Sequence, residues 1–269
     1  MPTTPEYIGK AHEKLTRDIL NGVDPQPDTV EQLDHLPSNH QDRVHLGGEK
    51  TAEFIRDDVS FPIESATEVG DELRGVSGDD TDLVVAGAGE EKRYSLKMVA
   101  SGKVNVRNPT LNTICENLLE QSRDDLLDQS DRDDYDGVAE RYAEEEIDSN
   151  EFAAVVLPVL AEAFRDSRDQ DEVAFRERLA DELQLDSNTV ACKVTKAGNY
   201  HGIVSTTQGP ISNLDNLNTT LEIYTIEDSS TSIFFDIDGD RAFQIDVYGQ
   251  HSGGERRTGL RAAYRVPVS

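Results

Sequence analysis

The feature that most restricts the fold is a change of texture at Asp186. Beyond it the chain runs VACKVT, GIVSTT, TLEIYTI, SIFFDI, AFQIDVYG and RAAYRV, apolar or alternating stretches separated by glycine, asparagine or serine. Side chains that alternate with period two between turn residues specify β-strands. Before Asp186 most apolar residues recur instead at helical spacing. In PEYIGKAHEKLTRDILNG, Tyr7, Ile8, Ala11, Leu15, Ile19 and Leu20 form one helical face, stopped at Gly22. GGEKTAEFIRDDV reads as a second helix, with Ala52, Phe54, Ile55 and Val59 on its inner side. Asn108-Pro109 predicts a helix start, an N-cap type followed by proline at the first helical position, and Leu111, Ile114, Cys115, Leu118 and Leu119 continue it. Two further helices are expected over 139–166 and 170–184, the first kinked or split by Pro158.

The linking segments are less regular. VDPQPDTVEQLDHLPSNHQD reads as a polar, proline-bearing connection, Ser60–Asp80 as short extended pieces, and RDDLLDQSDRDDYD as an acidic stretch fraying into loop. One strand pair interrupts the helical half: Asp82–Ala86 and Arg93–Val99, joined by a GAGEE turn. The order predicts a mixed α/β (α+β) architecture with added C-terminal β strands. Three parts follow: an N-terminal helical segment at 1–48, a core with a helical insertion at 49–185, and a β-rich part at 186–269.

Charge narrows the setting. The 269 residues hold 54 acidic against 26 basic side chains, a net charge of −28, with no tryptophan and only eight lysines against 18 arginines. In dilute buffer such a surface repels a polyanion. In molar salt the screening length is about 3 Å. The composition resembles that of proteins from halophilic archaea and their viruses, and global charge then says little about partners. Local departures from the acidic background become the signal. Cys115 and Cys192 are too few for a disulfide framework and lack zinc-like spacing. MPTTPEYIGKAHEKL has no apolar signal core and no stretch approaches 18 apolar residues, so a soluble, cytoplasmic protein without membrane contact is expected.

The hairpin carries the chemistry. Its side chains alternate between faces, so Ser95 and Lys97 share one face, Leu96 takes the other, and an antiparallel pairing brings Asp82 opposite the far end of the second strand. Taken alone, a lysine facing an aspartate is most simply a cross-strand ion pair. With an acid on the preceding helix, however, the pattern resembles the PD-(D/E)XK nuclease superfamily, which includes most restriction endonucleases. There an acid on a helix, an acid opening a strand and a (D/E)-x-K tripeptide on the next strand form the site. The matching positions are Glu53, Asp82 and Ser95-Leu96-Lys97, an S-x-K variant, over roughly residues 49 to 120.

That resemblance implies a restriction endonuclease-like mixed central sheet flanked by helices, and Mg2+-dependent cleavage of double-stranded DNA, of the type II restriction kind. It implies metal ligation by Asp82, the Leu96 carbonyl and Glu53, with Glu49, then Glu72 or Asp80, as substitutes. Lys97 would orient or deprotonate the attacking water, and Ser95 would hold a metal-bound water. A homodimer is expected, because cutting both strands of a palindrome needs two sites related by a two-fold axis. A cognate methyltransferase encoded nearby would accompany a restriction role. Alternatives are a repair, resolvase-type or modification-dependent nuclease of the same fold, and a non-catalytic binding or viral structural protein.

Three windows depart from the acidic background. Lys92–Cys115 has five basic residues and no acid, with Lys103, Asn105, Arg107 and Asn108 as candidate DNA contacts. GGERRTGLRAAYR adds Arg256, Arg257 and Arg261, arginine being the residue that reads guanine bidentately. Ser187–Leu214, also free of acid, holds Lys193 and the candidate contact Lys196. FFDIDGDRAFQID superficially resembles a calcium loop, but its flanking alternation predicts a β-hairpin. His12, His35, His40 and His45 show no metal spacing.

Overall fold

A computed structural model of the chain describes residues 4–69, 81–100, 103–127, 129–183, 185, 188–226, 231–252 and 255–267. The architecture is mixed α/β, as the texture predicts, with two five-stranded sheets and packed helices. Two compact units form, one comprising Met1–Val104, Asp186–Gln208 and Pro267–Ser269, the other Asn105–Leu185 and Gly209–Val266. They cross the sequence boundaries at 48/49 and 185/186. The reason is strand pairing: the first two strands of the β-rich part join the Asp82 hairpin, and the remaining four form the second sheet together with the Lys103–Arg107 strand.

The first unit begins with α1 (Thr4–Leu20), α2 (Pro27–Asp34) and α3 (Ser38–Asp58). The expected polar connection is therefore mostly helical. Pro27 sits in the first turn of α2, where its missing N–H costs nothing, and Pro37 directly precedes α3. Gly47 and Gly48, which look like a helix start in sequence, lie inside α3. They let α1 approach: a Cβ on Gly48 would stand 3.2 Å from the Leu15 side chain. A half-buried charge cluster ties these elements together. Lys14 and Arg17 of α1 both bridge Asp28 of α2 and Glu68 of β1 (Ser65–Glu68).

The sheet of this unit continues through β2 (Leu83–Gly87) and β3 (Glu90–Val99), then β5 (Thr189–Val194) and β6 (Tyr200–Ser205), the intervening strand β4 (Lys103–Arg107) belonging to the other sheet. Its order is β1-β2-β3-β5-β6. β1, β2 and β3 are antiparallel, β5 runs parallel to β3, and β6 returns antiparallel. The turn between β2 and β3 is tighter than GAGEE suggests: only Ala88 and Gly89 connect the strands, both with positive φ (54° and 83°). Two such residues give the turn whose twist matches the strands. Leu83, Val85, Tyr94, Leu96 and Val190 form one side of a core with Leu20, Ala52 and Ile55 of α1 and α3.

In the second unit, β4 (Lys103–Arg107) is followed by α4 (Leu111–Leu119), α5 (Arg123–Leu126), α6 (Gln129–Ala143), α7 (Ser149–Gln170) and α8 (Glu172–Glu182). The α4 cap is Thr110, which accepts from Thr113 N, so the helix starts two residues beyond the predicted cap Asn108. The acidic stretch after it holds α5 and most of α6. The expected 139–166 helix is two helices, divided where Asp148 and Glu151 form a capping box at the start of α7. Pro158 lies within α7, which continues past it.

The second sheet has the order β4-β10-β9-β8-β7, with β7 (Leu221–Thr225), β8 (Ser232–Ile237), β9 (Asp240–Ser252) and β10 (Glu255–Pro267). Within the D-x-D-G-D segment, Asp238 and Gly239 make the predicted hairpin turn. Phe164 of α7 packs against Phe235, which stacks on Phe243 at 4.3 Å. Among the described residues no helix is long and apolar enough to cross a membrane.

Candidate active site

The hairpin register fixes the site. Leu83 pairs with Tyr94, and the Asp82 N–H donates to Tyr94 O at 2.8 Å, so Asp82 extends the ladder beside Ser95. Because Leu83, Tyr94 and Leu96 face the core, alternation turns Asp82, Ser95 and Lys97 to the opposite face. Their contacts agree. Asp82 Oδ2 accepts from Leu96 N at 2.7 Å and from Ser95 Oγ at 3.3 Å, and Lys97 Nζ stands 3.7 Å from the same oxygen. Asp82 is 4% exposed and Ser95 1%, whereas the Lys97 side chain is 36% exposed. The result is a buried carboxylate held by a backbone amide and a hydroxyl, with an ammonium reaching past it toward solvent.

The neighbouring strand supplies polar support. Ser95 N donates to Asn188 O at 3.3 Å, and Ser95 pairs with Thr189 in the parallel ladder. The Asn188 amide oxygen accepts from Ser205 Oγ at 2.7 Å and Thr207 Oγ1 at 3.1 Å, while its nitrogen donates to Asp58 Oδ2 at 3.2 Å. Asn188 has φ of 22°, an uncommon backbone for which asparagine is among the more tolerant residues.

The helix acid is not the expected one. Glu53 is exposed and ion-paired with Lys50 at 2.6 Å, and Lys50 lies over the Tyr200 ring. Tyr200 pairs with Val194, five residues along β5 from Thr189, so Glu53 is not brought to Asp82. Glu49 is exposed. The α3 acid that reaches β3 is Asp58, the last residue of the helix, little more than one turn beyond Glu53. It accepts from Tyr94 OH at 2.8 Å and pairs with Lys92 at 2.9 Å. Burial opposes its ionisation, but these partners hold the carboxyl below the usual range, and burial pushes the Tyr94 phenol up. Tyr94 and Lys92 belong to the core-side face, so Asp58 serves the packing of α3 onto the sheet. Direction along α3 decides between the two acids, and the local sequence does not encode it.

The donor set bears on magnesium. Among the described residues no group of three Asp, Glu, His or Cys side chains is placed to hold a metal. Glu72 and Asp80 lie outside the described residues. Among the described residues, the site holds one carboxylate, Asp82, and the main chain of Leu96. Magnesium takes one or two carboxylates from a protein and keeps water and substrate phosphate as its other ligands. The residues present therefore meet the lower end of that requirement.

Most of the candidate DNA contacts fall on or beside two neighbouring strands, β4 and β10. Lys103 and Asn105 are exposed on β4, and the Arg107 side chain lies outside the described residues. Asn108 is exposed, its Oδ1 3.5 Å from Tyr248 OH. Lys196 is exposed in the turn between β5 and β6. Arg256 is a structural residue: it donates to Ile147 O at 2.6 Å and lies over the Tyr142 ring. Arg257 pairs with Glu255 at 3.2 Å, both exposed, and Arg261 is exposed on β10 opposite Tyr248. No family model matches the chain, and comparisons with curated proteins and with solved structures find no match.

Proposed function

We propose that the chain is a magnesium-dependent endonuclease that hydrolyses phosphodiester bonds of double-stranded DNA, a type II-like restriction enzyme of the PD-(D/E)XK kind. The observation that carries this reading is the 3.7 Å approach of Lys97 Nζ to Asp82 Oδ2, on one face of a mixed sheet, with the acid opening one strand and S-x-K on the next. Asp82 would hold the ion. Magnesium, when bound, supplies charge neutralisation at the leaving oxygen and an activated water. Lys97 sets an ammonium beside the phosphate and positions the water attacking it. Ser95 Oγ and Leu96 N fix the carboxylate of Asp82. Glu53 has no part in this version of the site. Lys103, Asn105, Arg107, Asn108, Lys196, Arg257 and Arg261 are the proposed DNA contacts; Arg256, bonded to Ile147 O, is not among them.

A second reading has its own support. Asp82 accepts the Leu96 N–H at the end of the β2–β3 ladder, a role that a purely structural aspartate also fills. Digestion of supercoiled plasmid in molar KCl, with magnesium and with EDTA, tests the proposal. Magnesium-dependent sharp fragments are expected. Cutting confined to branched substrates would favour a resolvase-type nuclease of the same core, and no cutting with magnesium or manganese would leave the structural reading. If sharp fragments appear, gel filtration is expected to give a homodimer, and a methyltransferase that protects the sites is expected as the companion activity.

A further inference from the structure

The parallel pairing of β3 with β5 does something that sequence order hides. It brings two of the three acid-poor windows, Lys92–Cys115 and Ser187–Leu214, onto adjacent strands. Ser95 pairs with Thr189, Lys97 with Ala191 and Val99 with Lys193, so these side chains share a face. Val84 pairs with Arg93, and alternation sets Arg93 on that same face, two residues before Ser95. Three cations thus line the face that carries Asp82: Arg93 and Lys97 on β3, Lys193 on β5. The acids of this face in β2 and β3 are Asp82 and Glu91. Lys92, the other cation in the hairpin, belongs to the opposite face and pairs with Asp58. In a chain of net charge −28, three cations against two acids on this face of β2, β3 and β5 is a local departure from the acidic background.

The spacing suits a phosphate backbone. Four residues of strand put Arg93 about 13 Å from Lys97, and a diagonal step to the next strand puts Lys193 about 8 Å beyond it. Arg93 is exposed and Lys193 half-buried. We propose that the Arg93–Lys97–Lys193 row is a track for the phosphates of duplex DNA, with Arg93 and Lys193 positioning the strand whose scissile phosphate meets Lys97. The proposal rests on reading the Asp82–Lys97 face as a nucleic-acid site.

The test is binding of a fluorescein-labelled 30-bp duplex in EDTA, followed by anisotropy across a KCl range in which circular dichroism shows folded protein. Arg93→Gln and Lys193→Gln are each expected to make the negative slope of log K against log[KCl] shallower by about 0.9, one phosphate contact apiece. Lys92→Gln is expected to leave the slope unchanged, and Arg93→Lys and Lys193→Arg to keep it near wild type. Three results overturn the proposal: no duplex binding by wild-type protein, unchanged slopes in both glutamine variants, or an equal change of slope in Lys92→Gln. Cleavage is scored separately. Protein that cuts DNA with slopes untouched by these variants keeps the nuclease reading and loses the track, and protein that binds through the row without cutting does the reverse.

Discussion

His12 gives the sharpest quantitative handle on the first unit. It is fully buried on α1, with Nε2 2.9 Å from Thr51 Oγ1 of α3, and burial lowers its pKa to about 4. An unfolded histidine titrates near 6.5. Between these values the unfolded chain binds a proton that the folded chain refuses, so stability is lost as pH falls. At about 1.4 kcal/mol per pH unit, the loss is about 2 kcal/mol between pH 7.5 and 5, and about 3 kcal/mol once pH passes below about 4. Carboxylates do not confuse this window. Asp28, held well below the ordinary range mainly by its hydrogen bond from Arg17, gives stability that is lost only as pH falls below about 4. The assay is chemical denaturation at constant molar KCl from pH 7.5 to 5, comparing wild type with His12→Gln. The wild-type curve should fall by about 2 kcal/mol relative to the variant. Parallel curves for the two proteins would refute the reasoning.

Other outcomes follow from single contacts. Arg176, 1% exposed, donates to Leu214 O, Thr219 O and Glu172; Arg176→Met should destabilise the second unit by about 2 kcal/mol in denaturant titration, since the buried Leu214 carbonyl and the half-buried Thr219 carbonyl lose their donor. Tyr94→Phe removes the hydroxyl bound to Asp58 and should cost about 1–2 kcal/mol, measured the same way. Burial pushes the Cys115 thiol up to about 12 and Cys192 up to about 11, so neither should react with a disulfide reagent at pH 8 until the protein is unfolded, when both should.

The sequence made some layers of this structure legible and hid others for physical reasons. The Asp82 hairpin and the six C-terminal strands are local, written in alternation and turn residues, and each forms where expected. The start of α3 was hidden because Gly47 and Gly48 act as a crossing point for α1, a tertiary reason that looks like a helix boundary. The acidic α5–α6 region was hidden because charge-rich helices present little apolar period. Most consequential is the β3–β5 pairing, which joins segments about 90 residues apart and depends on long-range closure rather than local pattern. It set Asn188 and Lys193 beside the hairpin. Within the site, Asp82, Ser95 and Lys97 came together as the period-two argument required, whereas Glu53 did not, because the face and direction of a helix are set by packing.

The most direct measurement is single-turnover cleavage of plasmid DNA with magnesium in molar KCl by wild type, Lys97→Ala and Asp82→Asn, each shown to be folded and to bind duplex in EDTA. The account predicts cleavage by wild type and a loss of at least about 100-fold in both variants, as expected when a positioned proton-transfer or charge-neutralising group is removed. Cleavage by Lys97→Ala at the wild-type rate would contradict it.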